Sequence, residues 1–140
     1  MEFTRRDTFA LGLGAAALSV LPFRAAQASA TDDLIAAFTG GAAVGDSGVT
    51  LTAPEIAENG NTVPIDVSAP GATAIMVLAT GNPTPPVATF NFGPLAGSQS
   101  ASTRIRLAKT QDLVAIAKLA DGSFAKASAT VKVTIGGCGG

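Results

Sequence analysis

The feature that most constrains the fold is the alternation of apolar and polar residues between residues 48 and 135. Val63, Ile65 and Val67 are separated by single residues that are polar or proline. A period of two is that of a strand with one buried face. Turn signals such as Asp121-Gly122 separate segments of this kind, at intervals of roughly ten residues. The pattern predicts an all-β protein, an immunoglobulin-like antiparallel β-sandwich of about seven short strands.

Particular segments carry more specific expectations. Residues 74–79 are continuously apolar, which predicts a central strand. Pro64 cannot donate to a hydrogen-bond ladder and predicts an edge strand. Asn59-Gly60 favours a tight turn, and Asp121-Gly122 favours a hairpin. Three prolines predict a loop over residues 82–86.

One helix is expected, before the strands begin. Thr31-Asp32-Asp33 offers a capping hydroxyl and two acids, as a helix start should. Leu34, Ile35 and Phe38 then share one helical face, and Gly40-Gly41 ends the run. The sequence predicts a short N-terminal helix of about two turns that packs on the domain.

The first thirty residues have the layout of a cleavable signal peptide. Arg5-Arg6 precedes an uncharged apolar run, and Ala28-Ser29-Ala30 supplies an A-x-A site. The apolar run is about 13 residues, which is too short to span a bilayer. Arg5-Arg6 resembles the twin-arginine signal for folded export. We expect export to the periplasm and cleavage after Ala30, with Ala28 as the alternative.

Composition excludes several functions for the mature chain. The full chain has nine basic and ten acidic residues, of which three and two lie in the first thirty residues. The others are scattered without a basic stripe, so nucleic acid is not an expected partner. No apolar stretch after the leader reaches membrane length, so no membrane contact is expected of the mature form. The sequence has no histidine and one cysteine, which predicts no metal site, no cofactor and no independent catalysis.

The sequence ends Gly136-Gly137-Cys138-Gly139-Gly140. Glycine raises the entropy lost on ordering, so residues 136–140 are expected to form a flexible arm beyond a domain of residues 31–135. Ile135 is predicted to be the last anchored residue. Three extended residues would then let Cys138 reach about 10–11 Å beyond it. A thiolate there can form disulfides and persulfides reversibly.

Plainer interpretations stay open on the residues alone. Cys138 can make an intermolecular disulfide in an exported protein. Burial of Cys138 as a small apolar residue conflicts with its four glycine neighbours. Arg104 and Arg106 share one face of a predicted strand. They can form a solvated face or pair with acids on a partner.

With these residues in view, the chain resembles the sulfur-carrying Y subunits of the bacterial thiosulfate-oxidising (Sox) system. The resemblance covers the mature chain, and its most specific part is the Gly-Gly-Cys-Gly-Gly ending. The matching motifs are Glu58-Asn59-Gly60, Val63-Pro64, Asn82-Pro83, Thr103-Arg104-Ile105-Arg106-Leu107-Ala108, Asp121-Gly122 and Val131-Lys132-Val133-Thr134-Ile135 followed by the glycine arm.

The resemblance implies a carrier that is not itself an enzyme. It implies pairing with a Z subunit, which has its own immunoglobulin-like sandwich and lacks an export signal. It also implies transient contact with three periplasmic enzymes. A haem enzyme joins thiosulfate to the arm cysteine, here Cys138, a hydrolase releases sulfate, and a sulfane dehydrogenase oxidises the remaining sulfur.

Two other classes of function remain as alternatives. Ubiquitin-like sulfur carriers use a C-terminal Gly-Gly carboxylate, as Gly139-Gly140 would provide. That chemistry needs ATP, which an exported protein would lack. The strand-rich pattern also lacks the central helix of a ubiquitin-like fold. The other alternative is a structural immunoglobulin-like module that dimerises through a Cys138 disulfide.

Overall fold

The computed structural model describes residues 23–136, with side chains from residue 29. This part of the chain contains one helix and nine strands. In chain order they are α1 (Phe23–Thr39), β1 (Val44–Gly45), β2 (Thr50–Thr52), β3 (Ile56–Ala57), β4 (Val63–Ser68), β5 (Ala72–Ala79), β6 (Pro86–Asn91), β7 (Ser100–Ile105), β8 (Gln111–Leu119) and β9 (Phe124–Val133).

The strands form two sheets, as the alternation predicted. The larger has the order β1-β9-β8-β5-β6, with β3 also paired to β9, and the smaller has the order β2-β4-β7. The β1 and β3 pairings with β9 are parallel, and the other pairings are antiparallel. The chain leaves the edge of β9 after β1, supplies β2 to the smaller sheet, and returns to β9 as β3. This excursion ties the two sheets together near the start of the domain.

The core lies between the two sheets and follows from the period of two. Val63, Ile65 and Val67 of β4 are buried, and the residues that alternate with them along β4 are exposed or half-buried. Their partners on the larger sheet include Ile75 and Val77, which belong to the same cluster of buried side chains. The sandwich of an all-β, immunoglobulin-like fold is therefore confirmed.

The outer face of the larger sheet is covered by α1. Leu34, Ile35 and Phe38 pack on a second cluster that contains Met76 and Leu78. The rings of Phe38 and Phe124 meet edge to face, with centroids 5.9 Å apart. Because β5 is buried on both faces, its sequence is continuously apolar, and the prediction of a central strand is confirmed. No helix within residues 23–136 is long and apolar enough to cross a membrane.

The start of α1 differs from the prediction. The helix begins at Phe23 and has 17 residues, so the prediction of a two-turn helix capped by Thr31 was wrong. Four of residues 25–30 are alanine, the strongest helix former, and the helix continues through them. Its end was predicted correctly. Gly40 has a φ of 64°, and the Gly41 N–H donates to Ala36 O at 3.2 Å, which is a Schellman cap.

The prediction that Pro64 marks an edge strand was also wrong. β4 lies between β2 and β7 and is the middle strand of its sheet. The pairing with β2 stops at Asp66, however, and Pro64 pairs only with Arg104 of β7. Proline is tolerated at this position because β4 extends beyond the end of β2 and has no paired strand on that side there.

The β8–β9 connection is the hairpin that Asp121-Gly122 predicted. Gly122 has a φ of 85°, and Leu119 N–H donates to Ser123 O at 2.8 Å. Asp121 Oδ1 accepts hydrogen bonds from Ser123 N–H at 2.8 Å and from the Ser123 hydroxyl. These bonds stabilise the ionised carboxylate and hold the pKa of Asp121 below its ordinary value. The bond from the Ser123 hydroxyl contributes most to this lowering.

Replacement of a buried leucine under α1 should destabilise the fold strongly. Leu78 is fully buried, so Leu78→Ala should lower the free energy of unfolding by about 2–5 kcal/mol through lost burial and a cavity. The matched control is Leu95→Ala, because Leu95 is 97% exposed and its loss should change stability by less than about 0.5 kcal/mol. Urea denaturation measures both. Equal effects would contradict this packing.

The hairpin should show a pH dependence of defined sign. The pKa of Asp121 is lowered in the folded state, so its stabilising contribution is present above the unfolded pKa and is lost as the pH falls through the folded value. NMR titration of the Asp121 carboxyl should show this low pKa. In Ser123→Ala the pKa should rise toward the ordinary value. A pKa that is the same in both proteins would show that the Ser123 hydroxyl is not the cause.

Candidate functional site at the root of the arm

The structure describes only the first of the five predicted arm residues. Gly136 lies within the described residues, whereas Gly137, Cys138, Gly139 and Gly140 lie outside them. The site is therefore built from residues 134–136, which we call the arm root.

Backbone hydrogen bonds continue past the end of β9 into the arm root. Thr134 N–H donates to Ala57 O at 3.0 Å, and Gly60 N–H donates to Ile135 O at 2.7 Å. The Thr134 hydroxyl donates to Glu58 O at 3.1 Å. Ile135 is thus held through its carbonyl group, while its side chain is 68% exposed. The chain is therefore anchored at least as far as Ile135.

Two loops hold the arm root, and they are joined by Gly60. We call residues 58–62 and 106–110 the root loops. Gly60 is buried. Its N–H is bonded to the arm root, and its carbonyl oxygen accepts from Leu107 N–H at 2.8 Å. Asn59 shapes the first loop, because its Oδ1 accepts from Asn61 N–H at 3.0 Å. The predicted Asn59-Gly60 turn therefore helps to fix the arm root.

Gly136 lies against the second root loop. A Cβ at this position would overlap the carbonyl oxygen of Ala108. Because every other residue has a Cβ, the close approach of the two backbones requires glycine here. The reason is therefore steric at Gly136, and it differs from the flexibility that the sequence suggested.

A buried polar network fixes the loop that Gly136 touches. Asn82 and Gln111 are 3% and 7% exposed. The hydrogen bonds, donor first, are Asn82 Nδ2 to Arg106 O (2.8 Å), Ala108 N to Asn82 Oδ1 (2.9 Å), Gln111 Nε2 to Asn82 Oδ1 (2.8 Å), Gln111 Nε2 to Lys109 O (3.0 Å) and Gly81 N to Gln111 Oε1 (2.8 Å). The network ties the β5–β6 loop to the second root loop and sets the position of Ala108.

The sequence pattern at Asn82-Pro83 predicted a turn, and the buried network was not predicted. The loop is confirmed over residues 82–85, but the prediction was wrong at Pro86, which begins β6 and pairs with Leu78. Nothing in the local sequence marks Asn82 as buried, because asparagine next to prolines is typical of exposed turns. Gln111 is the first residue of β8, and its inward direction follows from the alternation that buries Leu113.

The charged residues near the root are exposed. Arg104 and Arg106 both face solvent, with the buried Ile105 between them, in agreement with a solvated face. Lys109 and Lys132 are exposed as well. Within residues 23–136 there is no group of three or more histidine, cysteine, aspartate or glutamate side chains that could hold a metal.

The described geometry ends two residues before the thiol. The root is fixed by two loops, and Cys138 follows it by two residues in the sequence. A rigid support of this kind suits a functional group that must be held in a defined position.

The fold and the arm define a class, a small two-sheet β-sandwich that carries a cysteine beyond its last strand. A superoxide reductase (neelaredoxin) from Ignicoccus hospitalis has the same sandwich, with a TM-score of 0.54, 21% identity and coverage of 62% of this chain and 80% of that chain. This likeness concerns the fold alone. A comparison with curated protein sequences finds no match.

The family follows from two further comparisons. The family model described as "Sulfur oxidation protein SoxY" matches residues 35–138. The sulfur carrier protein SoxY from Chlorobium limicola f thiosulfatophilum has a TM-score of 0.67 and 41% identity, with coverage of 77% of this chain and 99% of that chain. The chain belongs to the SoxY family of sulfur carrier proteins. Proteins of this family act in sulfur oxidation as carriers rather than as enzymes, together with partner proteins of the Sox system.

Loss of Asn82 should loosen the loop that supports the arm root. Asn82→Ala leaves the Gln111 amide, the Ala108 N–H and the Arg106 carbonyl without their partner, at a cost of about 1–3 kcal/mol for a buried polar group. The matched control is Asn91→Ala, at an exposed position of β6, which should change stability by less than about 0.5 kcal/mol. Thermal denaturation compares them. Equal stability would show that the network does not support the loop.

Proposed function

We propose that this protein is a periplasmic carrier that holds thiosulfate-derived sulfur covalently on Cys138 and presents it to separate enzymes. One observation carries the proposal. The match to the sulfur-carrier family runs to residue 138, and residue 138 is the only cysteine of the chain. The glycines on both sides of Cys138 add no side chain next to the thiol, and the arm root before them is held by two loops.

The loading step is an oxidation. The Sγ of Cys138 forms a bond with the outer sulfur of thiosulfate, the thiol loses one proton, and two electrons pass to a haem enzyme. The product is an S-thiosulfonate on the carrier. A hydrolase then adds water at the sulfonate sulfur. Sulfate and two protons leave, and a persulfide stays on Cys138 with no electron transfer.

The later steps regenerate the carrier. A sulfane dehydrogenase oxidises the outer persulfide sulfur to a sulfonate, with three water molecules as the oxygen source. Six electrons pass to the electron acceptor of the dehydrogenase, and six protons are released. Hydrolysis then releases a second sulfate and returns the cysteine thiolate. The cargo stays covalently attached between enzymes, so no reactive sulfur species is set free.

Activation of the thiol is assigned to the partner enzymes. Lowering of a cysteine pKa requires a nearby positive charge or a helix N-terminus. The nearest cationic residue in the sequence is Lys132, six positions before Cys138, and its side chain is exposed on β9. The isolated protein should therefore contain an ordinary thiol that becomes reactive in the site of an enzyme. A strongly acidic thiol in the isolated protein would contradict this assignment.

Export and assembly belong to the same proposal. Residues 1–30 serve as a twin-arginine-type leader, and the folded chain leaves the cytoplasm together with a Z subunit. Cleavage after Ala30 would cut α1. Leu34, Ile35 and Phe38, which pack on the larger sheet, all follow that point. The mature chain thus keeps these contacts between the helix and the sheet.

Intact mass spectrometry of the exported protein tests the carrier function. In protein purified with its partner from cells oxidising thiosulfate, we expect adducts with the mass of a thiosulfate group or of added sulfur. Reductant should release them, and Cys138→Ser should lack them, because the attachment is a sulfur–sulfur bond. An unmodified monomer would refute the carrier function. A disulfide dimer indifferent to sulfur compounds would instead support a structural module.

A further inference from the structure

We propose that Asn59-Gly60 is a site of spontaneous deamidation whose rate is controlled by the hydrogen bond between Gly60 and the arm root. The proposal is independent of sulfur carriage, because its chemistry and its geometry concern only the first root loop and the segments bonded to it. The dipeptide that shapes the turn thus has a reactivity that the carrier function does not use.

The reaction needs an asparagine that is followed by an unhindered backbone nitrogen. That nitrogen attacks Cγ of the asparagine, the new N–Cγ bond replaces the Cγ–Nδ2 bond, and ammonia leaves with the proton of the attacking N–H. Water then opens the cyclic imide at either carbonyl group, which gives aspartate or isoaspartate without electron transfer. Glycine favours the attack because it has no Cβ beside the nitrogen. Of the four asparagines in the chain, only Asn59 precedes a glycine.

The side-chain amide of Asn59 is placed where it can react with water. Asn59 is exposed. Its Oδ1 accepts from Asn61 N–H at 3.0 Å, and its backbone carbonyl oxygen accepts from Thr62 N–H at 3.4 Å. Both bonds use oxygen atoms, so neither of them holds Nδ2, the nitrogen that leaves. The turn therefore fixes the asparagine without protecting its leaving group.

The attacking nitrogen is bonded to the arm root. Gly60 is buried, and its N–H donates to Ile135 O at 2.7 Å, while its carbonyl oxygen accepts from Leu107 N–H at 2.8 Å. The nitrogen can lose its proton and approach Cγ of Asn59 only after the bond to Ile135 has broken. A reaction of this kind proceeds through local opening, as hydrogen exchange does. The closed arm root therefore protects the dipeptide.

The isoaspartate product is incompatible with the closed root. In isoaspartate the main chain runs through Cβ and Cγ, which adds one backbone atom between residue 59 and Gly60. Gly60 is held at both ends, by Ile135 through its N–H and by Leu107 through its carbonyl group. With a longer connection on one side, it cannot keep both bonds. One deamidation event therefore releases the arm root irreversibly, and the extent of modification records how often the root has opened.

Peptide mapping of aged protein tests the site and its protection. The folded protein and the same protein in denaturing urea are incubated in mildly alkaline buffer, and mass spectrometry follows aspartate and isoaspartate at residue 59. In urea, Asn59 should react faster than Asn61 and Asn91. In the folded protein its rate should be lower by about tenfold or more, because the root must open first. Equal rates in the two states would overturn the protection, and an unreactive Asn59 in urea would overturn the site.

A matched pair of valine variants tests the part played by the arm root. The Thr134 hydroxyl donates to Glu58 O at 3.1 Å, so Thr134→Val should raise the rate at Asn59 in the folded protein about fivefold, the effect of losing one ordinary hydrogen bond. The control is Thr130→Val, which removes a hydroxyl bond to Asp112 on the same strand and should change the rate by less than about twofold. Equal effects would show that general stability sets the rate, which would overturn the proposal.

Hydrogen exchange gives a test that needs no variant. Gly60 N–H should be protected in the unmodified protein and should lose that protection in the isoaspartate form. The amide of Ile116, in the middle of β8 and fully buried, should stay protected in both forms. Retained protection of Gly60 in the isoaspartate form would overturn the release of the arm root. None of these measurements depends on loading of Cys138, so failure of the carrier function would leave their result unchanged.

Discussion

The position of the arm depends on the hydrogen bonding of β9 along both of its edges. β8 pairs with one edge over eight register positions. The other edge is paired with β1 at its start and with β3 at its end. A strand held on both sides cannot peel away from its sheet, and the residues that follow it inherit its direction. The arm root is therefore a continuation of the sheet.

The excursion of residues 44–57 explains how so small a domain pairs β9 along both edges. The same short segment supplies two partners to β9 and, between them, the edge strand β2 of the other sheet. Val49 and Ala57, on either side of β2, are both buried in the main core. Burial of apolar side chains and completion of the hydrogen-bond ladder thus stabilise the same part of the molecule.

Most of the fold could be predicted from the period-two alternation of apolar and polar residues. The strands β4 and β9 and the hairpin at Asp121 follow from alternation and turn chemistry, because each depends on neighbours in the sequence. The prediction failed where tertiary context decides. Pro64 is tolerated in a middle strand only because β2 is short, and no local signal gives the length of a partner strand. The upstream part of α1 was assigned to the leader, yet its alanines also favour a helix.

The candidate site was predicted to a different extent at each residue. Cys138 and its glycines stand out by composition, and family membership agrees with them. The supporting residues do not stand out, because Asn82 and Gln111 are ordinary polar residues until the fold buries them. Gly136 illustrates the difficulty best. In the sequence it is one of four similar glycines, and its contact with Ala108 is found only in the structure.

The parallel course of β3 beside β9 has a mechanical meaning. A force applied to the end of β9 along the axis of the strand acts across its ladder hydrogen bonds. The load is then shared in shear by many hydrogen bonds at once and is not concentrated on the last one. The domain can thus bear a pull on its last strand without unravelling from that end.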